Sequence, residues 1–226
     1  MNRSIFFVGG SKGGVGKSLV SVALIDFLLG QGLRPHLIET DESNPDVAKA
    51  HAGAGIEITP LSLDTDGGWE DFLSIAMESN NPIVVNSAAR NGNGFNSFGP
   101  LLNSVEDIVK RFVPIWVINT QKDSLELFKE FQSVIPNCSA FYVVKNGQFG
   151  KEEDFVLYDK SKLKSGVKET LYMPKLLKTA ADAIYIDRQS ICGILDAPGL
   201  KFGTRIFVEQ WRNIFADEIR KVVGGV

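Results

Sequence analysis

The sequence is poor in the residues that build covalent or metal-held scaffolds, with two cysteines and two histidines among 226 residues. Cys138 and Cys192 form no CxxC pair, so no disulfide framework is expected and a reducing, cytoplasmic setting suits the chain. His36 and His51 stand at no metal-ligand spacing, which argues against a metal caged by protein side chains alone. Long hydrophobic runs are missing too. The richest, LVSVALIDFLL, is broken by Ser21 and Asp26 and is too short to span a bilayer, and the opening MNRSIFFVGG lacks the apolar core of a secretory signal. Charge of one sign is not in excess either. The net charge of -3 exerts no global pull toward nucleic acid, so any such contact must be local. No repeat, no GxSxG elbow and no GxGxxG on a strand-turn-helix is present.

What is present is an alternation. Short apolar runs (SIFFVG, PHLIET, PIVVNS, VPIWVINT, AFYVVKN) are separated by segments of helical period. This rhythm predicts an α/β fold: a three-layer, doubly wound, mainly parallel sheet, its strands apolar throughout because helices cover both faces. The length and an apolar fraction of 44% suit one domain over 1–226. In GGWEDFLSIAMES the spacing places Trp69, Phe72, Leu73, Ala76 and Met77 on one helical face, and in SLELFKEFQSVI it places Leu127, Phe128, Phe131 and Ile135 together. The last helix aligns Val208, Trp211, Phe215, Ile219 and Val222. The polar, glycine-punctuated stretch near 147–169 reads as a surface excursion.

SKGGVGKS follows a predicted strand and opens a predicted helix, and it matches the phosphate-loop spacing GxxxxGK(S/T), with Ser11 where the first glycine usually stands. Gly13, Gly14 and Gly16 free successive backbone N–H groups to face an anion, and the helix N-terminus adds a favourable dipole. In such a loop Lys17 reaches the β- and γ-phosphates and Ser18 ligates Mg²⁺, while Val15 and Leu19 complete the loop and first turn. A second lysine, Lys12, precedes the glycines.

That second lysine makes the segment resemble the deviant Walker A box, KGGxGK(S/T), of the MinD/ParA superfamily of P-loop ATPases, and further landmarks follow in order along most of the chain. The resemblance implies ATP and Mg²⁺ as cofactors. It also implies that Lys12 crosses a nucleotide-sandwich homodimer to the phosphates held by the other subunit. HLIETDESNPD lies where the family has a strand ending in an acidic segment, which gives Asp41 a place near Mg²⁺ and the attacking water. Glu39 stands at the family's first aspartate and is one methylene longer. PIVVNSAAR departs from the Walker B pattern: Asn86 replaces the aspartate behind a metal-bound water, so weaker Mg²⁺ binding and slow or absent hydrolysis are expected. FYVVKNGQFG makes Asn146 the candidate for the adenine edge, and YMPKLLKTAADA places Pro174 near the base.

The glycine- and asparagine-rich loop after Asn86, which contains Arg90, resembles switch regions in TraL-type proteins of conjugative plasmids. The resemblance therefore implies an ATP-dependent dimerisation switch in plasmid maintenance, partition or conjugative DNA transfer. Two rivals stand beside it: an ATP-holding adaptor without hydrolysis, and a dethiobiotin synthetase-like ligase that passes the γ-phosphate to a bound carboxylate. Lys160, Lys162, Lys164 and Lys168 offer a local site for nonspecific DNA, though a solvated loop is the plainer expectation. A membrane role for the last helix is disfavoured, because Arg212, Arg220 and Lys221 are few and its apolar face suits packing.

Overall fold

The first strand sets the architecture. In Ile5–Gly10, Phe6 and Val8 point into one apolar layer and Ile5 and Phe7 into the other, all of them at most 3% exposed. A strand buried on both faces belongs in the middle of a parallel sheet, and that is where it lies. The computed structural model describes residues 3–11, 13–88, 92–138 and 140–224. Its strands are β1 (Ile5–Gly10), β2 (His36–Glu39), β3 (Ile58–Pro60), β4 (Ile83–Asn86), β5 (Phe112–Ile118), β6 (Phe141–Asn146) and β7 (Val167–Met173). They form one sheet in the order β3-β2-β4-β1-β5-β6-β7, and every pairing is parallel.

The helices are α1 (Lys17–Gly30), α2 (Asp46–Ala50), α3 (Asp66–Glu78), α4 (Gly92–Phe98), α5 (Glu106–Arg111), α6 (Lys122–Val134), α7 (Val156–Asp159), α8 (Lys178–Tyr185), α9 (Ile191–Asp196) and α10 (Phe202–Val223). On one face α1 is buried along most of its length and packs against α9 and α10. A helix apolar nearly all round has to lie inside. Its one buried acid, Asp26, accepts from Arg212 Nε of α10 at 2.7 Å and from Cys192 Sγ of α9 at 3.2 Å, so Arg212 serves as an internal tie. Arg220 and Lys221 pair with Asp217 and Glu218 on their own helix. No helix among the described residues is long and apolar enough to cross a membrane.

The other face is aromatic. Phe7, Phe95, Phe131 and Trp116 stack through centroid separations of 5.2, 4.6 and 4.6 Å, which joins β1, α4, α6 and β5. Trp69, Phe72 and Ala76 of α3 are buried as the spacing predicts, but Met77 is 47% exposed. At about 100° per residue Met77 lies at the edge of the stripe that those three define, and it turns to solvent. The predicted faces of α6 and α10 hold, with Leu127 only partly covered.

Two strands escape the apolar-run pattern. β3 is three residues long and half-buried at the sheet edge. β7 begins inside the stretch read as an excursion and carries Lys168 and Glu169, charges that an edge strand tolerates and a central one does not. The rest of that stretch is not merely superficial. It sends Phe155 and Tyr158 into the aromatic layer, each 1% exposed. Lys145, on β6, lies beneath it: its ammonium donates to Asp159 Oδ2 at 2.9 Å and to Glu152 O at 3.1 Å, and it faces the rings of Phe155 and Tyr158. Lys164 also reaches Asp159, at 3.1 Å, and Lys168 lies 6.0 Å from the Tyr142 ring centroid, so two of the four loop lysines are engaged with the fold.

The pair is asymmetric, because the Lys145 side chain is 5% exposed and that of Asp159 31%. Asp159→Ala leaves a buried cation uncompensated and is expected to destabilise by about 3 kcal/mol. Lys145→Met leaves a part-exposed carboxylate still served by Lys164, and should lose clearly less. Urea unfolding of the two variants measures the difference; equal losses would contradict the asymmetry.

Candidate functional site

Because every strand runs the same way, the loops after β1, β2, β4, β6 and β7 open on one edge of the sheet. There they enclose a cavity of about 690 Å³, within the range of small-molecule and cofactor sites. At its centre is the turn between β1 and α1. Gly14 and Gly16 have φ of 76° and 106°, a left-handed backbone that side chains oppose. At Gly16 a Cβ would also come within 2.4 Å of Asn146 Nδ2. The turn delivers the N-terminus of α1, with no side-chain cap on its first N–H groups, to the cavity wall. The backbone N–H groups of a helix start and the helix dipole favour an anion there.

Lys17 is the first residue of α1 and is 7% exposed. Burial pushes its ammonium down to about 8, and the nearby Asp41 carboxylate opposes that shift. Of the residues singled out in the sequence, Gly13, Gly14, Gly16, Lys17, Ser18, Leu19, Asp41 and Asn146 line the cavity. Val15 turns the other way, into the core, and contributes its carbonyl, which accepts from Asn146 Nδ2 at 2.8 Å. Asn146 Oδ1 accepts the Gln148 N–H at 2.9 Å, so this side chain braces the loop as well as facing the cavity. Pro174 stands outside the lining. Its carbonyl accepts from Trp211 Nε1 at 2.6 Å, and the next residues, Lys175 and Leu176, reach the cavity. Lys12 and Arg90 lie outside the described residues.

On the acidic side Asp41 Oδ1 accepts the Asn44 N–H at 2.9 Å, which anchors the carboxylate at the wall. Beneath it Glu39 and Asn86, each 1% exposed, lie behind the lining. Asn86 Nδ2 donates to Glu39 Oε1 at 2.8 Å and Asn86 Oδ1 accepts from Ser21 Oγ at 2.9 Å. Burial holds the Glu39 carboxyl above its ordinary range, partly offset by hydrogen bonds from Asn86 and from the N–H groups of Asp41 and Ala48. Thr40 Oγ1 donates to the Asn86 carbonyl at 3.1 Å and accepts from Ala88 N at 2.8 Å, which sets Ser87 at the cavity.

The sequence reading passed over Asn44, Asp46, Ser87 and Gln148, and over Ala181 and Tyr185 on α8. The last two are four residues apart and share a helical face, a spacing visible in the sequence but without a motif to single it out. Leu19, Leu176, Ala181 and Tyr185 contribute apolar surface to the same cavity. A glycine turn with a lysine, the oxygens of Ser18, Asp41 and Ser87, and apolar side chains in one cavity fit the parts of a nucleotide with its divalent cation.

The chain is 41% identical over 232 residues to protein MobD of Acidithiobacillus ferrooxidans, covering 100% of this chain and 99% of the relative. Among solved structures it resembles the cell division protein MinD of Aquifex aeolicus, with a TM-score of 0.56, 15% identity and coverage of 95% and 98% of the two chains. It also resembles a candidate plasmid partition protein of Borrelia burgdorferi bound to AMPPNP, with a TM-score of 0.58, 15% identity and coverage of 97% and 99%. A nucleotide-binding protein of Archaeoglobus fulgidus in complex with ADP aligns with a TM-score of 0.53 at 12% identity, over 82% and 87%. No family model matches the chain. The fold is that of the MinD/ParA-type P-loop proteins.

The buried lysine has a consequence for stability. Its folded value of about 8 lies below the ordinary 10.5, so between those values the unfolded chain holds more protons than the folded one. Stability contributed at this residue therefore rises with pH across that window, by at most about 3 kcal/mol. Urea unfolding without ligand at pH 8, 9 and 10 should show the rise in the parent and a flatter profile in Lys17→Met; parallel profiles would refute it.

Proposed function

The chain belongs to the MobD family, and from that premise we propose that it binds ATP with Mg²⁺ and acts as an ATP-dependent dimerisation switch in plasmid maintenance, partition or conjugative DNA transfer. The observation that carries the reading is the glycine turn that presents Lys17 and the α1 N-terminus to a cavity whose other wall bears Asp41. The loop amides and Lys17 hold the phosphates, and Ser18 with Asp41 holds the cation, which supplies charge stabilisation at the phosphate oxygens. The apolar side chains of Leu19, Leu176, Ala181 and Tyr185 would hold the base, and Asn146 and Gln148 would offer it amide groups. A phosphate brought to Lys17 adds to Asp41 in favouring the ammonium against the cost of its burial, so binding and the lysine's protonation reinforce each other.

Turnover is expected to be slow. Asn86 carries no charge and is already committed to Ser21 and Glu39. The same observation favours a second reading, a nucleotide-holding adaptor in which the ATP-bound state persists and partner binding is the output. In either case Lys12 is assigned to the partner subunit's phosphates, following the deviant Walker A resemblance.

Light scattering without nucleotide, with ADP, and with a slowly hydrolysed ATP analogue plus Mg²⁺ tests the switch. The mass should double only with the ATP analogue. A mass indifferent to nucleotide would overturn dimerisation, while phosphate release would separate the ATPase from the adaptor. Lys12→Ala should retain ATP binding by the monomer and lose the mass change; loss of binding itself would remove the assigned role in trans.

A further inference from the structure

Two neighbouring strand ends carry one charge between them. Glu39 closes β2 and Asn86 closes β4, and the parallel register sets them side by side. The Asn86 amide has a donor side and an acceptor side, and its surroundings use both: Nδ2 donates to Glu39 Oε1 at 2.8 Å and Oδ1 accepts from Ser21 Oγ at 2.9 Å. An ionised carboxylate only accepts, so this amide orientation is the one that serves both neighbours. The Glu39 carboxylate takes two further bonds, from Asp41 N to Oε1 at 3.2 Å and from Ala48 N to Oε2 at 3.3 Å. Its two oxygens therefore grip both ends of the segment 41–48, which puts Asp41, Asn44 and Asp46 on the cavity wall.

We propose that Glu39 and Asn86 are a complementary pair: the buried carboxylate that supports the cation side of the site stands on β2, and the residue at the end of β4 is neutral because it must donate to that carboxylate. Glu39 is a positioning residue that acts through Asp41, and Asn86 positions Glu39. An aspartate at 86 would bring a second acidic oxygen to hydrogen-bond distance of the first, in a place where both side chains are 1% exposed and water cannot screen them. The asparagine leaves one carboxylate at the paired strand ends and donates to it. A single carboxylate, on β2, serves both strand ends, and its two oxygens hold Asp41 N and Ala48 N.

The functional half of this inference rests on the nucleotide and cation reading of the cavity; the pairing does not. A double-mutant cycle over Glu39→Gln, Asn86→Asp and the two combined separates them. The first readout is the thermal midpoint of the nucleotide-free protein, and the second is the gain in affinity for a fluorescent ATP analogue on adding Mg²⁺. Asn86→Asp alone should lower the midpoint and weaken the Mg²⁺-dependent gain by about tenfold or more. Glu39→Gln alone should weaken that gain as well. The combined variant, with one negative charge now on β4 and the side-chain amide introduced on β2 donating to it, should regain most of both. It falls short because that amide has given up one of the two acceptor oxygens that Asp41 N and Ala48 N use. A tighter Mg²⁺-dependent affinity or faster turnover in Asn86→Asp would overturn the proposal, as would losses that simply add in the combined variant. If the parent binds no nucleotide, the proposed function fails, and the thermal cycle still decides the pair: coupled midpoints uphold it and additive ones overturn it.

Discussion

The shared direction of the strands is the constraint on which the rest depends. With every pairing parallel, each crossover must run over a face of the sheet, and each strand must deliver its C-terminal end to the same edge. β1 lies between β4 and β5: the chain leaves it for β2 and β3 on one side, returns to insert β4 beside it, and then crosses to β5, β6 and β7 on the other. The loops after β1 and β4 therefore diverge at a point where the order reverses, which is where open α/β sheets leave a crevice. Lys17, Asp41, Ser87, Asn146 and Lys175 come from five separate stretches of sequence and meet there for this reason alone.

Within that crevice the electrostatics are divided. The glycine turn and the α1 N-terminus are electropositive, and they hold a lysine whose ammonium is disfavoured by its own burial. A site that carries a desolvated cation is less stable empty than filled by an anion, which is how stability is exchanged for binding at functional positions. Two strands from β1, at the end of β2, Glu39 is kept in place by three donors. It is the anionic counterpart, and its hydrogen bonds run to the segment that carries Asp41. Farther from the cavity the charges are structural ties: Asp26 with Arg212 joins α1 to α10, and Lys145 with Asp159 fastens the segment between β6 and β7.

The glycine loop was legible because its chemistry is local: a turn with two left-handed residues, a lysine and a hydroxyl follow one another in the chain. The strands β1, β2, β4, β5 and β6 were legible because burial on both faces demands an unbroken apolar run. β3 and the start of β7 were not, since edge strands are short or charged and lack that run. Met77 shows the limit of helical spacing, which orders residues around an axis and does not say where the apolar stripe ends. The segment 147–169 looked superficial because its composition is polar, yet two aromatic rings and a buried lysine tie it down.

Asn86 marks the boundary most sharply. By itself the sequence determined the phosphate-loop geometry, the alternation that makes a parallel sheet, and the presence of an amide where an acid is usual, because each is encoded by residues close together in the chain. Only the tertiary structure decided what the amide is for. Its partners, Glu39 and Ser21, lie 47 and 65 residues away, and a hydrogen bond between neighbouring strands depends on register, which no single segment specifies. Likewise Tyr185, Ala181 and Gln148 became parts of one cavity through the placement of α8 and β6 against the sheet edge. Local chemistry is written in adjacent residues, whereas the sharing of one charge between two strands exists only once the strands are paired.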